Sequence, residues 1–337
     1  MKAAIIGTGR MGRRHIRVAQ EQGLELAGLF DVQAAALTQA LQEYDLPESL
    51  KFTDPESLLK KAQPDVVIIA TTAPDHCALV CLAARCGVKY VFCEKPMAVS
   101  LAECDQMLET CAQYGSKLAI NHQMRFMEQY TKPKAFLESS EFGGFCSMLV
   151  TTGNMGLCMN GIHYFEAFRY LTGEEPISVA AWFSSEKVPN PRGPQFEDQG
   201  GCVRVTSAGG KRFYLECGVD QGHGLRVIYS GRNGQIYVDE GIGRMSLGRR
   251  QAEDRALPTT RYFTTPINAD LQIAPADVIQ PSRAVLDALL QGEPTCSGED
   301  GRLALSVLVA AYVSNEAGHR EVALNEVLPR QRRFPWA

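Results

Sequence analysis

The chain has 337 residues, 45% of them hydrophobic and 21% charged, which is enough for about two domains with buried cores. Its net charge of −4 argues against nucleic acid or an anionic membrane as a partner. The apolar runs fall short of the roughly 20 residues of a membrane helix. Glycine follows the apolar start at position 7, before the core of a signal peptide could form.

The cysteines indicate a reducing compartment. There are eleven, an odd number, and none form a Cys-x-x-Cys pair. Three of them, Cys77, Cys81 and Cys86, fall in one helical stretch. Buried thiols of this kind are typical of proteins kept away from oxidants, so we expect a cytoplasmic protein. The six histidines lack the spacing of a metal site, so no metal is predicted.

The first 120 residues alternate short apolar runs with helical patterns. Helix starts are indicated by Asp54-Pro55, an N-cap followed by proline, and by the capping-box pair Ser100 and Glu103. Strands that alternate with helices are typical of an α/β fold with a parallel, doubly wound sheet. The predicted strands are Ala3–Ile6, Leu24–Phe30, Asp65–Ala70, Tyr90–Cys93 and Lys117–Ile120.

The pattern changes after Asn121, where strand-like runs follow one another with turns between them. Turns are predicted at Gly209-Gly210 and Asn233-Gly234, and a surface loop at Glu186–Gln199. Helical patterns recur at His163–Leu171, Ser282–Leu290 and Gly301–Ala317. The predicted strands are Phe145–Thr152, Ile177–Ser184, Gly201–Thr206, Arg212–Cys217, Leu225–Tyr229 and Gln235–Val238.

This change of pattern predicts two domains. Residues 1–121 form a Rossmann domain. Residues 122–337 form an α+β domain with a large, mostly antiparallel open sheet, whose C-terminal helices are able to pack back on the first domain.

A glycine motif follows the first strand and opens the first helix. In such a motif Gly7 makes the tight turn, Gly9 lets the backbone approach a pyrophosphate, and Gly12 lets helix and strand pack closely. The pyrophosphate then lies on the N–H groups of the helix terminus. The intervening residues Thr8, Arg10 and Met11 are therefore also predicted to line the cofactor. The alternative is a glycine turn without a ligand.

Asp31 decides which dinucleotide is predicted. It ends the second strand, 19 residues after Gly12, where an acid accepts hydrogen bonds from the adenosine ribose. Its charge would repel a 2′-phosphate, and Val32-Gln33-Ala34 offers no arginine to bind one. The sequence therefore favours NAD over NADP.

Glu94-Lys95-Pro96 stands at the carboxyl end of a predicted parallel strand, the edge at which open α/β sheets bind ligands. A lysine there points into the crevice, and Pro96 restricts the two residues before it to an extended or turn geometry. The alternative is a surface lysine at a turn.

The chain resembles the glucose-fructose oxidoreductase / inositol dehydrogenase / rhizopine catabolism family over nearly its full length. The Glu-Lys-Pro placement and the later Gly-x-His segment discriminate more than the glycine motif, which many families share. The matching segments are Gly7–His15, Asp31, Thr71–Val80, Cys93–Ala98, Asn121–Phe126, Gly161–Gly173 and Ser297–Gly318.

The resemblance implies an NAD-dependent oxidoreductase acting on a sugar, polyol or sugar derivative. It implies that Lys95 contacts substrate and nicotinamide and that His163 is the catalytic histidine. In many members an aspartate stands four residues before that histidine, whereas this chain has Met159. Asn160 and Glu166 are nearby polar residues but do not replace that aspartate position for position. The resemblance also implies a homodimer or homotetramer formed through the C-terminal sheet.

The chemistry expected of this pair is simple. Hydride transfer belongs to the nicotinamide, so the protein must orient the substrate carbon and move one proton. A histidine with a pKa near neutrality suits removal of a hydroxyl proton, and a lysine ammonium stabilises the developing alkoxide. Our hypothesis assigns these roles to His163 and Lys95. The alternative for His163 is a helix histidine satisfied by the backbone.

Other residues are candidates of lower rank. His15 is predicted to pack against the sheet, and Asp220 and His223 form a polar turn. The predicted cofactor-binding set is completed by Thr71, Thr72, Pro74, His76, Glu94, Lys95 and Arg125. The alternative for Arg125 is a structural salt bridge. The predicted substrate-binding set is Lys95, His122, Arg125, Asn160, His163 and Tyr164.

Two other functions remain open from the sequence. One is a dinucleotide-binding regulator or redox sensor with this fold, which the Met159 departure favours and the retained Lys95 and His163 disfavour. The other is an NAD-dependent lyase or glycosidase that oxidises its substrate transiently.

Overall fold

The computed structural model describes residues 1–258 and 266–337 and divides the chain into two compact units. The first unit comprises Met1–Gln123, Val278–Leu305 and Pro329–Ala337, and the second comprises Met124–Asp277 and Ser306–Leu328. The N-terminal stretch of the first unit thus ends two residues beyond the predicted boundary, and part of the C-terminal region belongs to that unit.

The first unit contains a six-stranded parallel sheet in the order β3-β2-β1-β4-β5-β6. Its strands are short and apolar, and every residue of β4 and β5 is buried, as expected for a sheet covered on both faces. The strand order reverses between β1 and β4, which creates a crevice at their carboxyl ends. The strands are β1 (Lys2–Ile6), β2 (Glu25–Phe30), β3 (Lys51–Phe52), β4 (Val66–Ile69), β5 (Tyr90–Cys93) and β6 (Lys117–Ile120).

Helices connect these strands, and the predicted helix starts are confirmed. The Asp54 carboxylate accepts the N–H of Ser57 at 2.6 Å, and the Ser100 hydroxyl accepts the N–H of Glu103 at 3.2 Å. The Glu103 carboxylate accepts the N–H of Val99 at 3.1 Å. A standard capping box would pair this carboxylate with the N–H of Ser100, one residue later. The helices are α1 (Arg10–Glu21), α2 (Ala34–Glu43), α3 (Pro55–Ala62), α4 (Ala73–Arg85) and α5 (Leu101–Tyr114).

The second unit contains a nine-stranded sheet in the order β14-β13-β12-β11-β7-β10-β9-β8-β15. All its pairs are antiparallel except β7 with β10, so the predicted fold class is confirmed. Its strands are β7 (Phe145–Gly153), β8 (Pro176–Lys187), β9 (Gln199–Ser207), β10 (Arg212–Gly218), β11 (Arg226–Gly231), β12 (Gly234–Asp239), β13 (Arg244–Arg249), β14 (Ile267–Gln272) and β15 (Val322–Ala323).

Two helices, α6 (Glu128–Glu138) and α7 (Ile162–Thr172), pack against β7. Alternate residues of β7, Met148 and Val150, are fully buried, whereas Leu149 between them is half-exposed on the opposite face. Towards the C-terminus follow α8 (Ile279–Leu290) and α9 (Gly298–Glu316). No helix in the described ranges is both long enough and apolar enough to span a bilayer.

The sequence prediction omits the two-residue strands β3 and β15, and also β13, β14 and α6. Arg244–Arg249 and Ile267–Gln272 lie towards one edge of the sheet, and each has only two or three apolar side chains in a short strand, which is a weak signal. Helix α6 contains Pro133 and has a weak apolar stripe, so its periodicity is poorly defined.

A buried acid, Glu240, lies at the end of β12. It is 5% exposed and accepts a hydrogen bond from the Tyr130 hydroxyl, and the ring of Tyr130 lies 6.4 Å from that of Tyr164. Burial raises the pKa of Glu240 to about 7, and the charge of Asp239 acts in the same direction against the lowering effect of Tyr130. Near neutral pH the folded protein therefore holds Glu240 partly protonated.

We expect Glu240→Gln to remove a pH-dependent loss of stability. Because the folded-state pKa of about 7 exceeds the ordinary value of 4.5, the favourable contribution is complete below pH 4.5 and is lost as the pH rises through 7. In urea unfolding, the free energy of unfolding of the variant relative to that of the wild type should rise by up to about 3 kcal/mol between pH 5 and pH 8. A free-energy difference that does not change with pH would contradict this assignment.

Candidate active site

The glycine loop between β1 and α1 has the shape that a dinucleotide needs. Gly7 has φ +91°, and a Cβ there would lie 2.7 Å from the carbonyl oxygen of Ala70. A Cβ on Gly12 would lie 1.8 Å from the carbonyl oxygen of Gly7, so only glycine allows the close packing of helix and strand. A Cβ on Gly9, in contrast, would meet no atom within 4 Å, which leaves space for a ligand.

The start of α1 completes this anion site. The first N–H groups of a helix have no partner within it and carry partial positive charge. Gly9 precedes the first turn, which contains Arg10, Met11 and Gly12 and no acidic side chain. The loop therefore fits a pyrophosphate.

Asp31 connects the end of β2 to this loop. Its Oδ2 accepts the N–H of Thr8 at 2.6 Å and lies 3.1 Å from the Thr8 hydroxyl. Its Oδ1 accepts the N–H of Gln33 at 2.8 Å. The carboxylate is thus fixed and half-buried at the rim of the crevice, where a ribose hydroxyl would lie.

The segment after β4 contributes a second wall. Thr72 precedes α4, and Pro74 occupies its first turn. The His76 ring is fully buried, with Nδ1 2.9 Å from the carbonyl oxygen of Pro96 and Nε2 3.3 Å from that of Thr71. His76 therefore ties the loop after β4 to the loop after β5.

Glu94 is a buried structural carboxylate beside Lys95. Its Oε1 lies 2.6 Å from Nε2 of His15 and accepts the side-chain amide of Asn121 at 2.9 Å. Burial alone would raise the pKa of Glu94, but the hydrogen bond and charge of His15, with the Asn121 amide, hold it at about 2. The carboxylate is therefore ionised and connects β5 with α1 and β6.

Lys95 follows Glu94 and is 9% exposed, so it is not a solvated surface lysine. Its peptide bond to Pro96 is cis. The carboxyl edge of the parallel sheet thus carries the glycine loop, Asp31 and Lys95, all within the first unit.

In the second unit His163 lies in the first turn of α7 and is 7% exposed. A π-helical turn, Leu157–Gly161, leads directly into this helix. The N–H of Met159 donates to the Asp198 carboxylate at 2.8 Å, and so does the N–H of Cys158. A buried acid from a distant part of the chain thus lies at the turn before His163.

Arg125 is placed in an ion-pair network. The Arg125 guanidinium forms a salt bridge with the Glu166 carboxylate, which also binds Arg169 at 3.0 Å. The same guanidinium lies 5.1 Å from the centre of the Tyr170 ring. Glu166 stands one turn after His163 on α7. The salt bridge that the sequence leaves as the alternative for Arg125 is therefore present.

The remaining substrate candidates differ in exposure. Asn160 is half-exposed in the π-helical turn. Tyr164 is fully buried, and burial raises its pKa well above the ordinary value. His122 belongs to the first unit, is fully buried, and its carbonyl oxygen lies 3.3 Å from the Sγ of Cys296.

His15 packs against the sheet as predicted, but sequence reasoning missed its contact with Glu94 and the role of Asp198. His15 lies three residues after Gly12 and faces β5, where it also packs edge-on against Phe92. Asp198 is the second-last residue of the predicted loop Glu186–Gln199 and gives no local signal of its partners about 40 residues earlier. In residues 1–258 and 266–337 no group of three His, Cys, Asp or Glu side chains is arranged to hold a metal ion, and no disulfide is formed.

Comparison with known proteins agrees with this geometry. Residues 1–122 match the model of the oxidoreductase family with an NAD-binding Rossmann fold. The chain is 25% identical to a myo-inositol 2-dehydrogenase of Thermotoga maritima, covering 97% of this chain and all of the relative. It is 26% identical to a D-apiose dehydrogenase of Paraburkholderia graminis, covering 94% of this chain and 88% of that enzyme.

Solved structures share the fold of the whole chain. An oxidoreductase of Agrobacterium radiobacter, solved with NAD+, L-tartaric acid and magnesium, superposes with a TM-score of 0.80 at 20% identity. The match covers 96% of this chain and 98% of that structure. Residues 1–122 therefore form the NAD-binding Rossmann domain of an oxidoreductase family, and the chain over nearly its whole length is similar to two dehydrogenases.

Proposed function

We propose that the protein is an NAD-dependent dehydrogenase that oxidises a hydroxyl-bearing carbon of a sugar, polyol or sugar derivative. The observation that carries the proposal is the buried Lys95, held beside the ionised Glu94 at the sheet edge that bears the glycine loop. The relatives named myo-inositol and D-apiose dehydrogenase support the substrate class.

NAD, when bound, supplies the hydride acceptor. The glycine loop and Asp31 would hold its pyrophosphate and adenosine ribose. Lys95 acts on the substrate oxygen, where its ammonium stabilises the negative charge that develops as the hydroxyl proton leaves. His163 accepts that proton. Burial of both side chains strengthens these interactions, because little water competes for the charges.

The partner implied by this chemistry is a small carbohydrate. Its hydroxyl groups would be met by polar side chains of the predicted substrate set, Asn160 among them, rather than by Tyr164, which lies in the core of the second unit. We propose no nucleic-acid or membrane partner.

The test of this function is oxidation of a panel of sugars, polyols and nucleotide sugars with NAD, followed by the absorbance of the reduced cofactor. Net reduction of NAD supports the dehydrogenase. Turnover without net reduction would favour transient oxidation, and tight NAD binding without any turnover would favour a sensor.

We expect Lys95→Ala and His163→Gln each to lower kcat by about 10²- to 10⁴-fold, the usual contribution of a positioned acid–base group. Steady-state kinetics on the best substrate of the panel measures this effect. Lys89→Ala, which changes an exposed lysine of the first unit, is the matched control and should keep wild-type turnover. Near-wild-type kcat in both Lys95 and His163 variants would refute the assignment.

We expect Asp31 to set the preference for NAD. Asp31→Ala removes the negative charge at the ribose, so the ratio of Kd for NADP to Kd for NAD should fall at least tenfold, measured by calorimetric titration. Because Asp31 also accepts the N–H of Thr8, Asp31→Asn separates charge from hydrogen bonding. An unchanged ratio in both variants would show that another group selects the cofactor.

We propose a homo-oligomer formed through the open sheet of the second unit. On the face opposite α6 and α7, the half-exposed residues Tyr214, Leu149, Ile228 and Tyr237 stand side by side on four neighbouring strands. A continuous apolar row of this kind is typical of a surface that another subunit covers.

The double variant Leu149→Glu/Ile228→Glu should therefore be monomeric where the wild type is a dimer or tetramer. Light scattering coupled to size-exclusion chromatography measures the mass. Val327→Glu, at a fully exposed apolar position outside this row, is the control. A monomeric wild type at micromolar concentration would contradict the proposal.

A further inference from the structure

The Asp198 carboxylate is buried and fully engaged with backbone donors. It is 1% exposed and stands immediately before β9. Its Oδ1 accepts the N–H of Cys158 at 2.8 Å and that of Gln199 at 3.0 Å, and its Oδ2 accepts the N–H of Met159 at 2.8 Å. Two of these donors belong to the π-helical turn Leu157–Gly161.

This turn is shaped around the carboxylate. A Cβ on Gly156 would lie 2.0 Å from Oδ2 of Asp198, so the residue before the turn has room only for a hydrogen. The N–H groups of Asn160 and Gly161 both donate to the Gly156 carbonyl, at 3.2 and 3.0 Å. The π-helical turn and the buried acid are therefore built together. The carboxylate accepts N–H groups of the first residues of the turn, the groups for which a helix offers no acceptor of its own.

His163 follows this turn directly. It stands four residues after Met159, about one helical turn along the chain, in the first turn of α7. The helical backbone is therefore continuous from Cys158 and Met159, whose N–H groups bind Asp198, to His163. A shift of the turn would rotate the start of α7 and move the His163 side chain, and small misplacements of a catalytic group are costly.

We propose that Asp198 is a positioning residue for His163. It fixes the π-helical turn through the N–H groups of Cys158 and Met159, and this sets the direction in which His163 presents its imidazole to the substrate. The inference rests on the proposed function, because it gives His163 the role of proton acceptor.

Asp198→Asn is the variant that tests the inference. It keeps the shape of the side chain, but an amide that accepts one of the two N–H groups presents its own N–H₂ to the other. Amide hydrogen exchange should accelerate at least tenfold in residues 157–163, while the other strands and helices of the second unit keep their wild-type exchange. Asp239→Asn, which changes another buried acid of the second unit, is the matched control and should leave this segment unchanged.

A double-mutant cycle separates positioning from general stability. We expect Asp198→Asn to lower kcat at least tenfold in the wild-type background, with a smaller effect on KM, and to have no further effect in the His163→Gln background. Multiplicative losses in the double variant would overturn the inference and assign Asp198 a structural role alone. Unchanged hydrogen exchange in residues 157–163 would overturn it as well, without need of a substrate.

The turnover of His163→Gln distinguishes failure of the proton-acceptor role of His163 from failure of the positioning role of Asp198. If His163→Gln retains wild-type turnover, the proton-acceptor assignment fails, and with it the reason for Asp198 to act. If His163→Gln is impaired and Asp198→Asn is not, only the positioning role fails.

Discussion

The buried Glu94 carboxylate is the interaction on which the first unit's candidate site depends. An ionised acid without solvent is costly unless several donors bind it, and here His15 and Asn121 do so. His15 belongs to α1, the helix that begins at the glycine loop, and Asn121 follows β6, the strand that neighbours β5. The Glu94 carboxylate therefore connects the end of β5 to both elements. Lys95 is the next residue, so its backbone is fixed at the same point.

The second unit uses the same physical device. The Asp198 carboxylate lies in the interior and binds backbone N–H groups in the turn that precedes His163. Each candidate catalytic residue is therefore preceded by a backbone segment that a buried acid holds in place. This arrangement suits proton transfer, because its rate depends on how precisely the proton donor and acceptor are oriented. In each case we attribute the placement of the reactive group to the neighbouring carboxylate.

Features that depend on local sequence could be predicted. The apolar runs of β1 and β4, the Asp54 cap and the glycine loop follow from residues that are adjacent in the chain, and all are found in the structure. The NAD-binding Rossmann fold follows from the same local signals. The strands β13 and β14 escaped prediction, because each is a short strand near the sheet edge with only two or three apolar side chains.

Features that depend on distant pairs could not be predicted. The Glu94 contacts join residues 79 and 27 positions apart, and the Asp198 contacts span about 40. Arg125 shows the same limit, since the sequence allowed a ligand contact or a salt bridge and only the fold brings Glu166 to its guanidinium. The sequence likewise showed Met159 at the position where the family resemblance led us to expect an acid, but not that its N–H binds a carboxylate from before β9.

The proposed function requires direct transfer of hydrogen from a carbohydrate carbon to NAD. Its most direct test uses the best polyol or sugar substrate deuterated at the reacting carbon, with mass spectrometry of the cofactor after turnover. Direct transfer predicts one deuterium in each reduced cofactor and slower turnover than with the protiated substrate. Substrate conversion with no deuterium in the cofactor would contradict it.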